Sequence, residues 1–233
     1  MLLGKYGRKI KSCLVKKVLK FRFFEETPEP NILCLGAHPD DIEIGCGGTI
    51  LRLLEEVPEA QFFWVVFSGS QNRCEEARQS VDLFLKEAKS KKIDIEQFRE
   101  SYFPFIGGQI KDCFEKLKTE FAPDLIFTHY TNDAHQDHRL ISNLTWNTFR
   151  DHFILEYEIP KYEGDLGSPN LHVCLSETHV TQKISHIYSI FQTQKEKQWF
   201  DPETFRSILR LRGVECNSPS RFAEAFYCHK IVV

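Results

Sequence analysis

Residues 31–49 read Asn31-Ile-Leu-Cys-Leu-Gly36-Ala-His38-Pro-Asp40-Asp41-Ile-Glu43-Ile-Gly45-Cys-Gly-Gly48-Thr49. The apolar run 31–36 has the length of a buried strand, and the glycines beyond it suit a tight turn and close packing of the next helix on that strand. Outward from here the pattern alternates. A helix is expected over Gly48–Val57, a strand over Gln61–Phe67, a helix over Asn72–Lys89, a short strand over Ile93–Phe98 and a helix over Gly108–Phe121. The apolar run Asp124–Thr128 follows, then strands over 153–159 and 170–176 and helices over 179–192 and 202–211. Such alternation predicts an α/β fold, a Rossmann-like, mainly parallel sheet with helices on both faces. Sites in such folds form at the carboxyl ends of the strands. The Gly45–Gly48 cluster lacks the G-x-G-x-x-G spacing of a dinucleotide loop, and two aspartates would face the phosphates, so a nucleotide cofactor is not expected.

The two strands that precede polar clusters point to chemistry. His38-Pro39-Asp40-Asp41 follows the first, and Asp133-Ala134-His135-Gln136-Asp137-His138 follows the run 124–128. A catalytic metal takes three ligands from His, Asp or Glu and keeps a further position open for water. The natural set is His38, Asp41 and His138. Pro39 biases His38 toward an extended conformation, so that a tight turn lets His38 and Asp41 converge. Asp40, beside a ligand, is then free to act as general base. If a helix starts near Asp137, His135 lies just before it and His138 in its first turn. Asp137 would accept a hydrogen bond from the His135 ring and favour its protonated form, and a cationic His135 would stabilise an oxyanion and protonate a leaving amine. Either motif alone is equally an Asx-type turn or a polar helix start. Both together, each after a strand, favour a hydrolytic metal site.

The two motifs, with Gly45-Cys46-Gly47-Gly48-Thr49 and more weakly Ala223-Glu224-Ala225-Phe226, resemble the PIG-L/LmbE-like zinc-dependent N-deacetylases, which remove acetyl groups from amino sugars. The resemblance covers most of residues 31–228. It implies His38, Asp41 and His138 as zinc ligands, Asp40 as general base, and His135, oriented by Asp137, as the oxyanion or proton-donor residue. The same donor set also accepts iron, cobalt or manganese. The substrate implied is a small-molecule or lipid-linked N-acetylated amino sugar. One departure is visible: the acidic residue that follows the paired aspartates in the family is Ile42 here, and Glu43 comes one position later.

Other residues are weaker candidates. Arg73, in the loop after the strand ending at Phe67, resembles an arginine that holds substrate hydroxyls, although an exposed arginine at a helix start is as common. Asp133 suits a pocket wall or the support of a ligand, and His129 suits packing. Glu156, Tyr157 and Glu177 could touch sugar hydroxyls from later loops, whereas alternating polarity on a half-exposed strand explains them more simply. His152, His172, His179, His186 and His229 show no ligand spacing.

The chain of 233 residues, 42% hydrophobic and 27% charged, is long enough for one sizeable globular domain. Its eight cysteines form no Cys-x-x-Cys pair, and reduced thiols in a cytoplasmic protein are expected. No nucleic-acid partner is expected. Residues 1–24 carry eight basic and no acidic side chains, +8 against a total of −3, which leaves −11 on residues 25–233, the expected deacetylase domain. Their apolar residues follow roughly helical spacing, so this basic amphipathic segment could contact an anionic membrane peripherally or pack its stripe on protein. Oligomeric state is left open. Alternatives to an enzyme are a silent metal- or carbohydrate-binding module and a membrane-surface interaction protein.

Overall fold

The computed structural model describes residues 22–24 and 27–232. The membrane or packing role expected for residues 1–24 therefore lies, apart from 22–24, outside the described residues. Seven strands form one sheet: β1 (Asn31–Gly36), β2 (Gln61–Ser68), β3 (Ser90–Phe98), β4 (Leu125–His129), β5 (Ile154–Tyr157), β6 (Leu171–Cys174) and β7 (Ala223–Cys228). The helices are α1 (Asp41–Glu56), α2 (Gln71–Phe84), α3 (Gly107–Glu120), α4 (Gln136–Thr148), α5 (Glu177–Ile190) and α6 (Pro202–Glu215). The strand order is β3-β2-β1-β4-β5-β7-β6. β3 to β5 are parallel through β2, β1 and β4, and β7 is antiparallel to both β5 and β6. Among the described residues no helix is long and apolar enough to cross a membrane.

Both faces of the sheet are covered, as period-2 alternation in the strands dictates. Ile32, Cys34, Phe62, Trp64 and Phe127 pack with α1, α2 and α5 on one side. Leu33, Leu35, Phe63, Val65 and Ile126 pack with α3 and α4 on the other. From β1 the chain goes outward to β2 and later returns on the opposite side as β4. The order thus reverses between β1 and β4, and a crevice at the carboxyl ends of the strands opens at such a reversal.

Two elements differ from expectation. α1 begins at Asp41, not Gly48, so Gly45, Gly47 and Gly48 lie inside a helix despite poor helix propensity. Packing overrides propensity: a Cβ on Gly45 would stand 2.2 Å from the Tyr157 ring and one on Gly47 2.7 Å from Phe84. The stretch 223–228, not expected as a strand, is β7, which joins β5 to β6 by antiparallel pairing.

Candidate metal centre

β1 delivers the first motif as a strained turn. Asp40 has φ 98°, in the left-handed region that a non-glycine residue rarely adopts, and a side chain so placed costs on the order of 1–3 kcal/mol. The turn is held from two sides. The His38 amide donates to Asp41 Oδ2 at 2.7 Å, and the Arg73 guanidinium donates to the Pro39 carbonyl and to Asp40 Oδ1 at 3.0 Å. The Asp40 side chain caps none of the α1 amides; its carboxylate is paired with Arg73. Burial, opposed by Arg73 and reinforced by the adjacent Asp41 charge, pushes the Asp40 carboxyl up to about 7.

β4 delivers the second motif. His129, fully buried at its end, accepts the Ala37 amide at Nε2 (2.9 Å), which ties the two loops together. Asp133 receives the His135 amide on Oδ1 (2.7 Å) and meets His138 Nδ1 with Oδ2 at 3.0 Å. Lys161 Nζ also donates to that Oδ2 at 3.0 Å. His135 caps α4, its Nδ1 accepting the Asp137 amide at 3.3 Å.

The two segments meet in the crevice. His38 Nδ1 lies 3.2 Å from His138 Nε2 and 3.4 Å from Asp41 Oδ2, and His138 Nε2 lies 3.6 Å from Asp41 Oδ1. Ligands bound tetrahedrally at 2.0–2.1 Å stand about 3.3–3.4 Å apart, so the His38–His138 and His38–Asp41 separations are those of neighbouring metal ligands, with Asp41 meeting the two histidines through different oxygens. The tautomers fit too. His38 Nε2 points at Asp137 Oδ2 (3.2 Å) and His138 Nδ1 at Asp133, so in the neutral rings the facing nitrogens are bare lone pairs beside a carboxylate. Such a convergence of electron pairs repels unless a cation sits among them, and carboxylates behind ligating histidines are the usual support of metal sites. Burial lowers the His38 imidazole, but Asp137 and Asp41 outweigh it and push it up to about 10, while burial and His129 push His138 down to about 3. His135 and His129 stand close enough to form the alternative groups His38–His135–His138 and Asp41–His129–His138.

Asp137 corrects one expectation. Its carboxylate does not reach the His135 ring; it accepts the Ser101 and Phe103 amides at 2.6 and 3.2 Å and faces His38. The helix start explains this, since His135 as N-cap aims Nδ1 at the Asp137 backbone while the Asp137 side chain turns across the crevice. His135 is accordingly not held as a cation: burial and the His38 charge lower its pKa, and with Nδ1 accepting, the neutral ring carries its proton on Nε2.

The remaining candidates separate. Arg73 is buried against Asp40 and the Pro39 carbonyl, and Asp133 is buried behind His138. Glu156 is not brought to the cluster: it is fully buried, its oxygens taken by the Thr131 amide (3.0 Å), the Thr131 hydroxyl and Trp146 Nε1, both at 2.5 Å. Tyr157 is also buried, its hydroxyl donating to the Leu35 carbonyl at 2.6 Å and standing 3.2 Å from His129 Nε2. Glu177 pairs with Arg206 at 2.5 Å on the surface. Glu43, the displaced acidic residue, is buried in the first turn of α1, and burial pushes it up to about 8. Lys161 drew no notice in the sequence, because a single lysine in a polar loop carries no pattern. Its role rests on contacts with Asp133 and with Asp165, 2.6 Å away.

The family model described as PIG-L: GlcNAc-PI de-N-acetylase matches residues 33–149, half of the chain and the part that holds the whole cluster. No curated protein matches by sequence. Among solved structures, the chain is similar to the conserved protein TT1542 from Thermus thermophilus, with a TM-score of 0.70 and 17% identity over 88% of this chain and 96% of that one. It is also similar to the N,N'-diacetylchitobiose deacetylase of Pyrococcus horikoshii, with a TM-score of 0.60 and 20% identity over 85% and 83% of the two chains. A third structure, the 4-carboxy-2-hydroxymuconate hydratase GalB of Pseudomonas putida, gives a TM-score of 0.65 and 15% identity over 88% and 98%. At such identities the likeness is one of fold, and a fold hosts more than one chemistry.

Proposed function

Because the chain belongs to the PIG-L family, we propose that it is a metal-dependent amide hydrolase that removes the N-acetyl group of an N-acetylated amino sugar, with zinc held by His38, Asp41 and His138. The observation that carries this reading is the pair of imidazole nitrogens, His38 Nδ1 and His138 Nε2, facing each other at 3.2 Å beside Asp41, with a second carboxylate, Asp40, adjacent and paired with Arg73 instead. A silent binding module has no use for that second carboxylate in a strained turn.

The metal, when bound, supplies Lewis acidity to an amide carbonyl and to water. Asp40 takes the proton of the attacking water, its oxygen kept in place by Arg73. Arg73 thus serves the reaction through Asp40. His135 offers Nε2–H to the carbonyl oxygen as charge develops on it, and the proton that Asp40 took from the water passes to the sugar nitrogen as the C–N bond breaks, so that the amine leaves and acetate forms. Asp133 steadies His135 through its amide and His138 through its ring, and Asp137 steadies His38.

Chelated protein reloaded with zinc, cobalt, iron or manganese and offered N-acetylglucosamine conjugates with soluble and lipid aglycones tests the reading. Acetate and free amine should appear in equal amounts, only with metal, at one metal per chain. Acetate release by metal-free protein, or metal binding with no amide cleavage across the panel, would overturn it.

A further inference from the structure

Lys183 on α5 and Glu224 on β7 form an ion pair at 2.5 Å in which both side chains are about 2% exposed, and neither belongs to the metal cluster. Each member also grips α1. Glu224 accepts the Gly48 amide on Oε1 at 2.8 Å and the Thr49 amide on Oε2 at 2.6 Å, and Lys183 donates to the Ile44 carbonyl at 2.6 Å. Ile44 C=O and Gly48 N–H are the acceptor and donor of one helical rung. The pair therefore holds both halves of a single rung.

That rung lies one turn below the metal site. The Ile44 amide donates to the Asp40 carbonyl at 2.9 Å, so the residue gripped by Lys183 is bonded to the residue in the strained turn. The absence of a side chain at Gly48 permits the grip: a Cβ there would stand 3.0 Å from Glu224 Oε1 and 2.5 Å from Leu175. Stability alone is a poor explanation of such a pair, since apolar replacement of a buried ion pair is often neutral or stabilising. What charge adds is directional hold on backbone groups that an apolar side chain cannot bond.

We propose that Lys183 and Glu224 are positioning residues that fix where the first turn of α1 sits and so set Asp40 and Asp41 against His38 and His138. The proposal rests on the metal-hydrolase reading, and its test reads metal affinity directly so that the two fail separately.

The test compares Lys183→Met, Glu224→Gln, the double variant and Lys183→Arg with wild type, by cobalt(II) titration with its visible absorption, by melting of the metal-free protein, and by kcat and KM for acetate release. Each single variant should bind cobalt roughly 10–100-fold more weakly, the usual effect of losing support behind metal ligands, and lower kcat with KM little changed. The double variant, free of an unpaired buried charge, should recover most of the lost melting temperature and not the cobalt affinity, and Lys183→Arg should recover part of both. Glu224→Gln keeps one of the two acceptor oxygens that the α1 amides use and is the mildest change, so a folded variant is at hand for every readout. Cobalt affinity that returns with melting temperature in the double variant, or that never changes, would overturn the proposal, as would a wild type that binds no cobalt. A wild type that binds cobalt and cleaves no amide would sink the hydrolase reading and leave the cobalt comparison to decide the positioning.

Discussion

Residues 33–149 and residues 150–228 contribute to the same site in opposite ways. The first region holds His38, Asp40, Asp41, Arg73, His129, Asp133, His135, Asp137 and His138, all in the loops after β1 and β4, at the end of β4 or in the first turns of α1, α2 and α4. The second places no side chain in the cluster, yet Tyr157 touches His129, Lys161 touches Asp133, Asp165 accepts the Ala134 amide at 2.6 Å, and Lys183 with Glu224 grips α1. Chemistry is local to one region, and its geometry is maintained by the other. Variants in the first should therefore change metal binding or turnover outright, whereas variants in the second should change them only through position.

The sharpest break of this comparison lies between the adjacent aspartates. Asp40→Asn should keep one metal per chain and lose roughly 10²–10⁴ in kcat, the usual worth of a general base. Asp41→Asn should lose the metal first. Parallel metal analysis and single-turnover rates decide it; equal metal loss in the two variants would mean that both aspartates coordinate.

A smaller effect sharpens the first region's own wiring. Asp137→Asn and Asp133→Asn should each weaken metal affinity by about 10–100-fold, as expected for carboxylates behind ligating histidines. In double-mutant cycles Asp137→Asn should couple with His38→Gln and add independently to His135→Gln. Coupling to His135 instead would restore the pairing expected from sequence and contradict the hydrogen bonds described above.

The smallest effects belong to the contact between the regions. Gly45→Ala drives a methyl into the Tyr157 ring and should cost about 1–3 kcal/mol in denaturant unfolding, the usual range for overpacking. Tyr157→Phe removes one buried hydrogen bond to Leu35 and should cost about 1 kcal/mol. If Tyr157→Phe lowered turnover with no loss of stability, the ring would have a part in the chemistry that its burial does not suggest.

Much of this was legible in the order of residues. Alternating strands and helices, and polar motifs placed after two of the strands, brought six residues into consideration that the fold then gathers into one crevice. What was not legible has definite causes. Glycine propensity hid the first two turns of α1, because the close approach of Tyr157 and Phe84 that calls for glycine is made by residues far away in sequence. The antiparallel strand β7 was hidden because a short apolar stretch near the end of a chain has no periodicity of its own, and its partners β5 and β6 lie about 50–70 residues earlier.

By itself, then, the sequence determined residue chemistry and strand alternation, since donor atoms and period-2 or helical spacing are properties of neighbours along the chain. Only the tertiary structure decided which carboxylate stands behind which histidine. Asp137 turned from His135 to His38, Glu156 turned inward to Thr131, and Lys183 met Glu224 across 41 residues. Hydrogen bonds of that kind depend on distances of about 3 Å between segments remote in sequence, and packing of the sheet and its helices sets those distances.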